Sequence, residues 1–273
     1  MFGRRSQIRR GLRSLLAWLG LLLMIGSFAW WQWNLPPVGM PPRSATTPQP
    51  TPGAAFPVVV LDPGHGGQDS GAMCAGVLEK DLTLDIAQRT DRLLEAQGLA
   101  TVMTRIGDAY VSLAERAALT NRIPNCVLVS IHFNEDNKPV SSGIETYYAD
   151  HRIPLGEPLI SWLPFLQTVA AAAQGPDVES QSLAGFIQEA LVARTQAVNR
   201  GTKPRQFYVI ANVRHPAVLV EGGFLTNKGD IARLTSAEYR DQIAAAISEG
   251  VIRFRDLKEQ QLKTAPTTAG GSE

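Results

Sequence analysis

Val58-Val59-Val60-Leu61-Asp62-Pro63-Gly64-His65-Gly66-Gly67 is an apolar, β-branched run that breaks into a Gly- and Pro-rich loop around one histidine. A buried strand ending in such a loop is how an α/β fold presents a functional side chain, because glycine lets the backbone turn sharply. The stretch predicts a first strand and a loop carrying His65. The pattern recurs twice downstream. Cys126 to Ile131 is a short apolar run that delivers Ser130-Ile131-His132-Phe133-Asn134 to its end. Pro216-Ala217-Val218-Leu219-Val220 leads into Glu221-Gly222-Gly223-Phe224-Leu225-Thr226-Asn227.

Helical patterns lie between these runs. Glu79-Lys80-Asp81 leads into a helix with Leu82, Ile86 and Leu93 along one face, stopped by Gly98. Leu99 to Thr104 alternates as a second strand. Ser112-Leu113-Ala114-Glu115 has capping-box spacing and predicts a helix that ends before Pro124. Ile144 to Tyr148 reads as a strand, 182–198 as a helix, and 207–210 and 217–220 as strands. Thr235-Ser236-Ala237-Glu238 opens a last helix, again with capping-box spacing. Strands alternating with helices predict an α/β domain with a mostly parallel central sheet flanked by helices. Ligands in such sheets bind beyond the carboxyl ends of strands, and His65, His132 and Glu221 each follow an expected strand.

The chain of 273 residues allows one such domain plus appendages. Its net charge of +1 conceals an asymmetry. Arg4, Arg5, Arg9, Arg10, Arg13 and Arg43 precede residue 54, where no acidic residue occurs, leaving 20 basic against 25 acidic residues in the remainder. No basic stripe is left for a nucleic-acid backbone, so nucleic acid is excluded as a partner. Cys74 and Cys126 are too few for a CxxC zinc site or a disulfide framework, and Cys126 reads as a buried small hydrophobe.

Residues 1–14 form a basic segment expected on the cytoplasmic side. Leu15 to Trp33 carries no charge over nineteen residues, long enough to cross a bilayer as a helix. Trp30, Trp31 and Trp33 cluster at its far end, where aromatics favour the membrane interface. A cleaved signal peptide competes, with Gly26-Ser27-Phe28-Ala29 as its small-residue site, but the length favours an uncleaved single-pass transmembrane anchor. Either reading exports the main domain to the periplasmic face of the cytoplasmic membrane. Residues 34–56 read as a Pro/Thr-rich linker, 57–255 as the domain, and 256–273 as a polar, disordered tail.

Two histidines and a carboxylate are a ligand set for catalytic zinc, with the fourth position left to water. His65 and His132 are the imidazoles. Glu79 and Glu221 are the candidate carboxylates, one as ligand and the other as the base for the water. Spacing alone does not divide these roles, because there is no HExxH helix. Plainer readings exist: a turn cap for His65, a core histidine for His132, a first-turn acid for Glu79. Glu221 resists its plainer reading, since a carboxylate buried at the end of an apolar strand is costly without a cation. His151 and His215 read as surface or structural residues.

These residues lie in motifs that resemble the zinc-dependent N-acetylmuramoyl-L-alanine amidases, which cut bacterial peptidoglycan. The resemblance covers about residues 57 to 255 and rests on Leu61-Asp62-Pro63-Gly64-His65-Gly66-Gly67, Glu79-Lys80-Asp81-Leu82, Ser130-Ile131-His132-Phe133-Asn134 and Glu221-Gly222-Gly223-Phe224-Leu225-Thr226-Asn227. Thr104-Arg105, Gly143-Ile144-Glu145-Thr146-Tyr147-Tyr148 and Asn199-Arg200-Gly201 support it. It implies that His65, Glu79 and His132 hold zinc and that Glu221 is catalytic. It further implies hydrolysis of the amide between N-acetylmuramic acid and L-alanine, in cell-wall remodelling or daughter-cell separation. Asp62 and Asn134 flank the ligands and are expected to orient them.

Residues 149–180 fall where some members of that family carry an insertion that covers the active site until a partner protein releases it. A regulatory lid answering to an activator is one expectation, with Glu157 or Glu179 reaching the zinc; a surface excursion is the other. Two further functions compete with the amidase: a zinc peptidase acting elsewhere in the stem peptide, and an inactive membrane-tethered wall-binding scaffold.

Overall fold

The computed structural model describes residues 55–138, 140–149 and 177–264. The expected anchor at 15–33, nearly all of the linker, His151, Glu157 and most of the 149–180 insertion lie outside these residues. Among the described residues, no helix is long and apolar enough to cross a membrane.

In chain order the elements are β1 (Val58–Pro63), β2 (Met73–Cys74), β3 (Val77–Leu78), α1 (Glu79–Ala96), β4 (Ala100–Met103), α2 (Leu113–Asn121), β5 (Cys126–Asn134) and β6 (Ile144–Tyr148). Then follow α3 (Val178–Thr195), β7 (Asn199–Pro204), α4 (Tyr208–Ala211), β8 (Ala217–Phe224), α5 (Lys228–Leu234) and α6 (Ala237–Thr264). Six strands form one sheet in the order β4-β1-β5-β8-β6-β7. The first four in that order are mutually parallel. β6 runs antiparallel to β8 and carries β7 parallel to itself. The sheet is therefore mostly parallel, as expected, with a reversed two-strand margin.

Alternation along the strands sorts side chains onto two faces. Val59, Leu61, Val127, Val129, Ile131, Val218 and Val220 pack under Ile86 and Leu94 of α1, Leu183 and Ile187 of α3, and Ile243 and Ile247 of α6. Val60, Leu128 and Leu219 face the other way, against Ala117 of α2 and Val209 and Ile210 of α4. Two residues further along β1, β5 and β8, this second face turns polar: Asp62, Ser130 and Glu221 are all buried. That switch from apolar to polar within single strands marks where the sheet stops being core and becomes a site.

Several expectations are corrected. In α1, Leu94 is fully buried while Leu93 is exposed, because burial continues along the Ile86–Thr90–Leu94 row. The stretch expected as a strand at 207–210 is instead the N-cap Phe207 and most of the short helix α4; a brief apolar run has no periodicity that separates the two. The structure places β7 at Asn199–Pro204, where no apolar alternation announces a strand. Ser112 and Glu115 do form a reciprocal capping box at α2. The Thr235 hydroxyl instead donates to the Ala232 carbonyl, closing α5 rather than capping α6. The C-terminal segment from Lys258, expected to be disordered, continues α6 as far as Thr264, and Lys258 pairs with Glu179. Phe56, at the end of the linker, is buried and stacks on Phe254 with ring centroids 5.7 Å apart. Cys74 and Cys126 are both free thiols, and Cys126 is buried as a small hydrophobe.

The loop after β1 is fixed by two buried arginines. Arg116 of α2 donates through Nη1 to Asp62 Oδ1 at 2.6 Å and to the Pro63 carbonyl at 2.7 Å, and through Nη2 to the His65 carbonyl at 2.7 Å. Arg105 donates through Nε to the Pro63 carbonyl at 3.0 Å and through Nη2 to the Gly64 carbonyl at 2.8 Å. Burial opposes ionisation of Asp62, but the Arg116 charge and the Thr104 and Ser130 hydroxyls hold its carboxyl below the usual range. Replacing Arg116 by Leu should cost about 3–5 kcal/mol, since it strands a buried carboxylate and loosens the loop. Urea unfolding of the variant, with an unchanged midpoint as the contrary result, checks this.

Candidate metal centre

Residues from four separate elements meet at the polar end of the second face. His65 sits in the loop with φ 59°, a left-handed conformation that a side chain rarely adopts and that costs about 1 kcal/mol or more. The hydrogen bond from Arg116 to its carbonyl holds it there. Glu79 is the first residue of α1 and is buried. Its Oε2 accepts from the Ala72 amide at 2.8 Å and its Oε1 from the Phe133 amide at 3.0 Å. The carboxylate is thereby tied to both the β2 side of the loop and the end of β5.

Both imidazoles converge on the same oxygen. His65 Nε2 lies 3.1 Å and His132 Nδ1 3.0 Å from Glu79 Oε1, with the rings edge-on at 4.9 Å between centroids. One ligand atom from each of His65, Glu79 and His132 lies within 4.8 Å of the others, so this trio can hold a metal ion. Close packing enforces the approach. A Cβ at Gly64 would stand 2.3 Å from the His132 ring, and one at Gly71 would stand 2.5 Å from Glu79 Oε2. Neither position admits a side chain.

Charge follows the geometry. Burial disfavours a charged His65, but Glu79 and Asp69 outweigh it and raise its pKa. Burial likewise opposes the Glu79 anion, yet His132 and His65 hold it ionised far below the usual carboxylate range. His132 and Glu221 are register partners on β5 and β8, and both lie within the strands rather than beyond them. Glu221 behaves in the opposite sense to Glu79. Burial, then the charges of Glu79 and Glu145, push its pKa well above the ordinary value. Its Oε2 is buried without a hydrogen-bond partner among the described residues. A carboxylate so placed has high affinity for a proton, the property of a general base.

The remaining expected residues fall outside this contact. Asp62 spends its oxygens on Arg116, Thr104 and Ser130, so it acts on the loop and not on a ligand side chain. Asn134 Nδ2 donates to Glu145 Oε1 at 2.7 Å. Glu179 lies in the first turn of α3 against Lys258, away from the trio, which removes it as a reaching carboxylate. His215 is outside the cluster, its pKa lowered by burial and Arg214.

Two residues of the site escaped sequence reading. Asp69 Oδ2 contacts His65 Nδ1 at 2.9 Å and so orients the ring whose Nε2 faces Glu79. Its only signal was an acid four residues after a loop histidine. Glu145 of β6 is paired in register with Glu221 and accepts from Asn134, Tyr147, Arg200 and Lys203, bonds that outweigh burial and set its pKa at about 2. In sequence it stood within the supporting stretch Gly143 to Tyr148 without a role of its own.

Residues 59–253 match the family described as N-acetylmuramoyl-L-alanine amidase, and the chain belongs to that family of peptidoglycan-hydrolysing enzymes. It is 37% identical over 196 residues to the N-acetylmuramoyl-L-alanine amidase LytC of Bacillus subtilis, covering 72% of this chain and 35% of that one. The chain therefore spans about a third of that relative. The crystal structure of an N-acetylmuramoyl-L-alanine amidase from Clostridium difficile 630 superimposes with a TM-score of 0.63 and 32% identity, over 74% of this chain and 98% of that one. The CwlD amidase from Clostridioides difficile, solved in complex with the GerS lipoprotein, gives a TM-score of 0.61 and 26% identity over 73% and 98% of the two chains.

Two outcomes follow from the site's electrostatics. Asp69→Asn should weaken metal affinity about 10–100-fold, as loss of an orienting carboxylate does, read by competition with a chelating dye. Glu145 has a folded pKa below its unfolded value, so its stabilisation is complete above pH 4.5 and is lost as pH falls toward about 2. Across that window the urea midpoint of the parent should fall more steeply than that of Glu145→Gln; parallel curves would refute the assignment.

Proposed function

We propose that this enzyme hydrolyses the amide between N-acetylmuramic acid and the L-alanine of the stem peptide, with zinc held by His65, Glu79 and His132. The observation that carries the reading is the convergence of His65 Nε2 and His132 Nδ1 on the one Glu79 oxygen. Two neutral-capable imidazoles and one ionised carboxylate match the donor chemistry of catalytic zinc, with a position left for solvent. The chemistry zinc supplies in such a set is Lewis-acid polarisation of a carbonyl and acidification of water.

The chain's own groups do the rest. Asp69 fixes the orientation of His65, and the Ala72 and Phe133 amides fix that of Glu79. Glu221, one strand over from His132, takes the proton of the attacking water and returns it to the leaving α-amine of alanine. Burial and its two carboxylate neighbours raise its proton affinity, so it accepts the proton readily.

The uncharged Leu15–Trp33 run behind a basic flank supports a single-pass anchor that places the domain on the periplasmic side, where peptidoglycan lies. A partner protein acting on 149–180 is supported by the relative solved with a lipoprotein bound, and a role in wall remodelling or cell separation goes with these assignments.

Metal analysis combined with digestion of purified peptidoglycan tests the reading. Stoichiometric zinc and release of intact stem peptides with N-terminal alanine are expected. Fragments cut within the stem would instead indicate a peptidase. Glu221→Gln should retain zinc and lose about 10²–10⁴-fold in rate; full activity in that variant would overturn the mechanism.

A further inference from the structure

The strand margin beyond Glu221 carries two cations that the amide chemistry does not use. Glu145 is buried, with a side chain 3% exposed, and accepts from Arg200 Nε at 3.0 Å and from Lys203 Nζ. Tyr147 and Asn134 occupy its other oxygen, at 2.6 and 2.7 Å. Two cations thus share one anion whose acceptor positions are filled. The Arg200 and Lys203 side chains are 33% and 38% exposed, so the surplus positive charge meets solvent. Arg200 is further held with Cζ 4.8 Å above the Phe224 ring, and its Nη groups have no hydrogen-bond partner among the described residues. Asp136, a carboxylate that also feels Arg200, is half-buried and accepts from the Ser141 hydroxyl and the Lys138 amide instead. Beside this margin lies the unpartnered Glu221 Oε2.

We propose that Arg200 and Lys203, held in place by Glu145, bind a carboxylate of the substrate's stem peptide, the free α-carboxylate of its second residue. The inference rests on the amidase reading and adds a specificity determinant to it. Muramic acid has given its own carboxyl to the scissile amide and is uncharged, whereas the stem peptide bears free carboxylates, so a cationic margin faces the peptide side. Distance selects the residue. β7 lies two strand spacings from β8, roughly 10 Å, and its two cations reach back toward β6. Glu145, which both cations grip, is the register partner of Glu221 one strand spacing away, roughly 5 Å, so an extended peptide advancing about 3.3 Å per residue brings its second residue's carboxylate to the cations when the first residue's amide is at Glu221. Guanidinium and ammonium donors bind such a group with charge-assisted hydrogen bonds.

The test compares N-acetylmuramoyl-L-alanyl-D-isoglutamate, with a free α-carboxylate, against N-acetylmuramoyl-L-alanyl-D-isoglutamine, in which that group is an amide. The ratio of kcat/KM, acid over amide, should be at least about 10 in the parent, fall toward one in Arg200→Gln and in Lys203→Gln, and shrink with added salt. A variant that merely folds poorly lowers both rates and leaves the ratio unchanged. A parent ratio near one, or a ratio untouched by both substitutions, overturns the proposal. If neither compound is hydrolysed, the amidase reading is what has failed. Calorimetric titration of the same two compounds into the Glu221→Gln protein then decides this site: preferential binding of the acid upholds it, and equal or absent binding overturns it.

Discussion

Everything at the site depends on two guanidinium groups buried beneath one loop. Arg105 and Arg116 bond the carbonyls of Pro63, Gly64 and His65, three consecutive acceptors, with the Thr83 hydroxyl sharing that of Gly64. Asp62, at the end of β1, balances the Arg116 charge. With the carbonyls held, His65 keeps a left-handed backbone that it would relax if free. With Gly64 pressed against the His132 ring, the loop sets the position of the second imidazole as well. The arginines touch no ligand atom of the trio, yet they determine where two of its members stand.

The two central glutamates show how far environment divides one chemical group. Glu79 receives backbone amides and two imidazoles, and stays an anion despite its burial. Glu221 receives no hydrogen bond at Oε2 and has two carboxylates as neighbours, so its proton is held tightly. The roles proposed for them, ligand and base, rest on these surroundings and not on residue type. Glu145 contributes at a distance, its charge raising the proton affinity of Glu221 while its oxygens secure Arg200 and Lys203.

Strand ends were legible wherever an apolar run changed abruptly into Gly and polar residues, which is why His65, His132 and Glu221 could be picked out together. Glu79 was less so, since an acid in a first helical turn is ordinary; it was a candidate carboxylate from the residues alone, but telling ligand from base needed the motif resemblance, and the structure sets its oxygen between the two imidazoles. β7 was hidden because Asn199-Arg200-Gly201-Thr202-Lys203-Pro204 is an edge strand with polar side chains and no core face to bury. The roles of Arg105 and Arg116 were hidden for the opposite reason: both are fully enclosed, and helix and loop arginines normally reach solvent. Pairings of this kind depend on where distant segments cross, and no local pattern encodes them.

Several of the contacts that build the site are long in sequence. Asp62 meets Arg116 and Ser130 across 54 and 68 positions, Glu79 meets His132 across 53, and Glu145 meets Arg200 across 55. Loop-closure entropy must be overcome before any of these yields stabilisation, so the first three need the crossover from β1 to β5 and the last needs β7 beside β6. A nascent chain that has emerged only as far as β5 lacks β8 and holds no Glu221. Such a chain can hold the donor trio but not the carboxylate proposed as its base, so a half-made enzyme has no means of cutting anything.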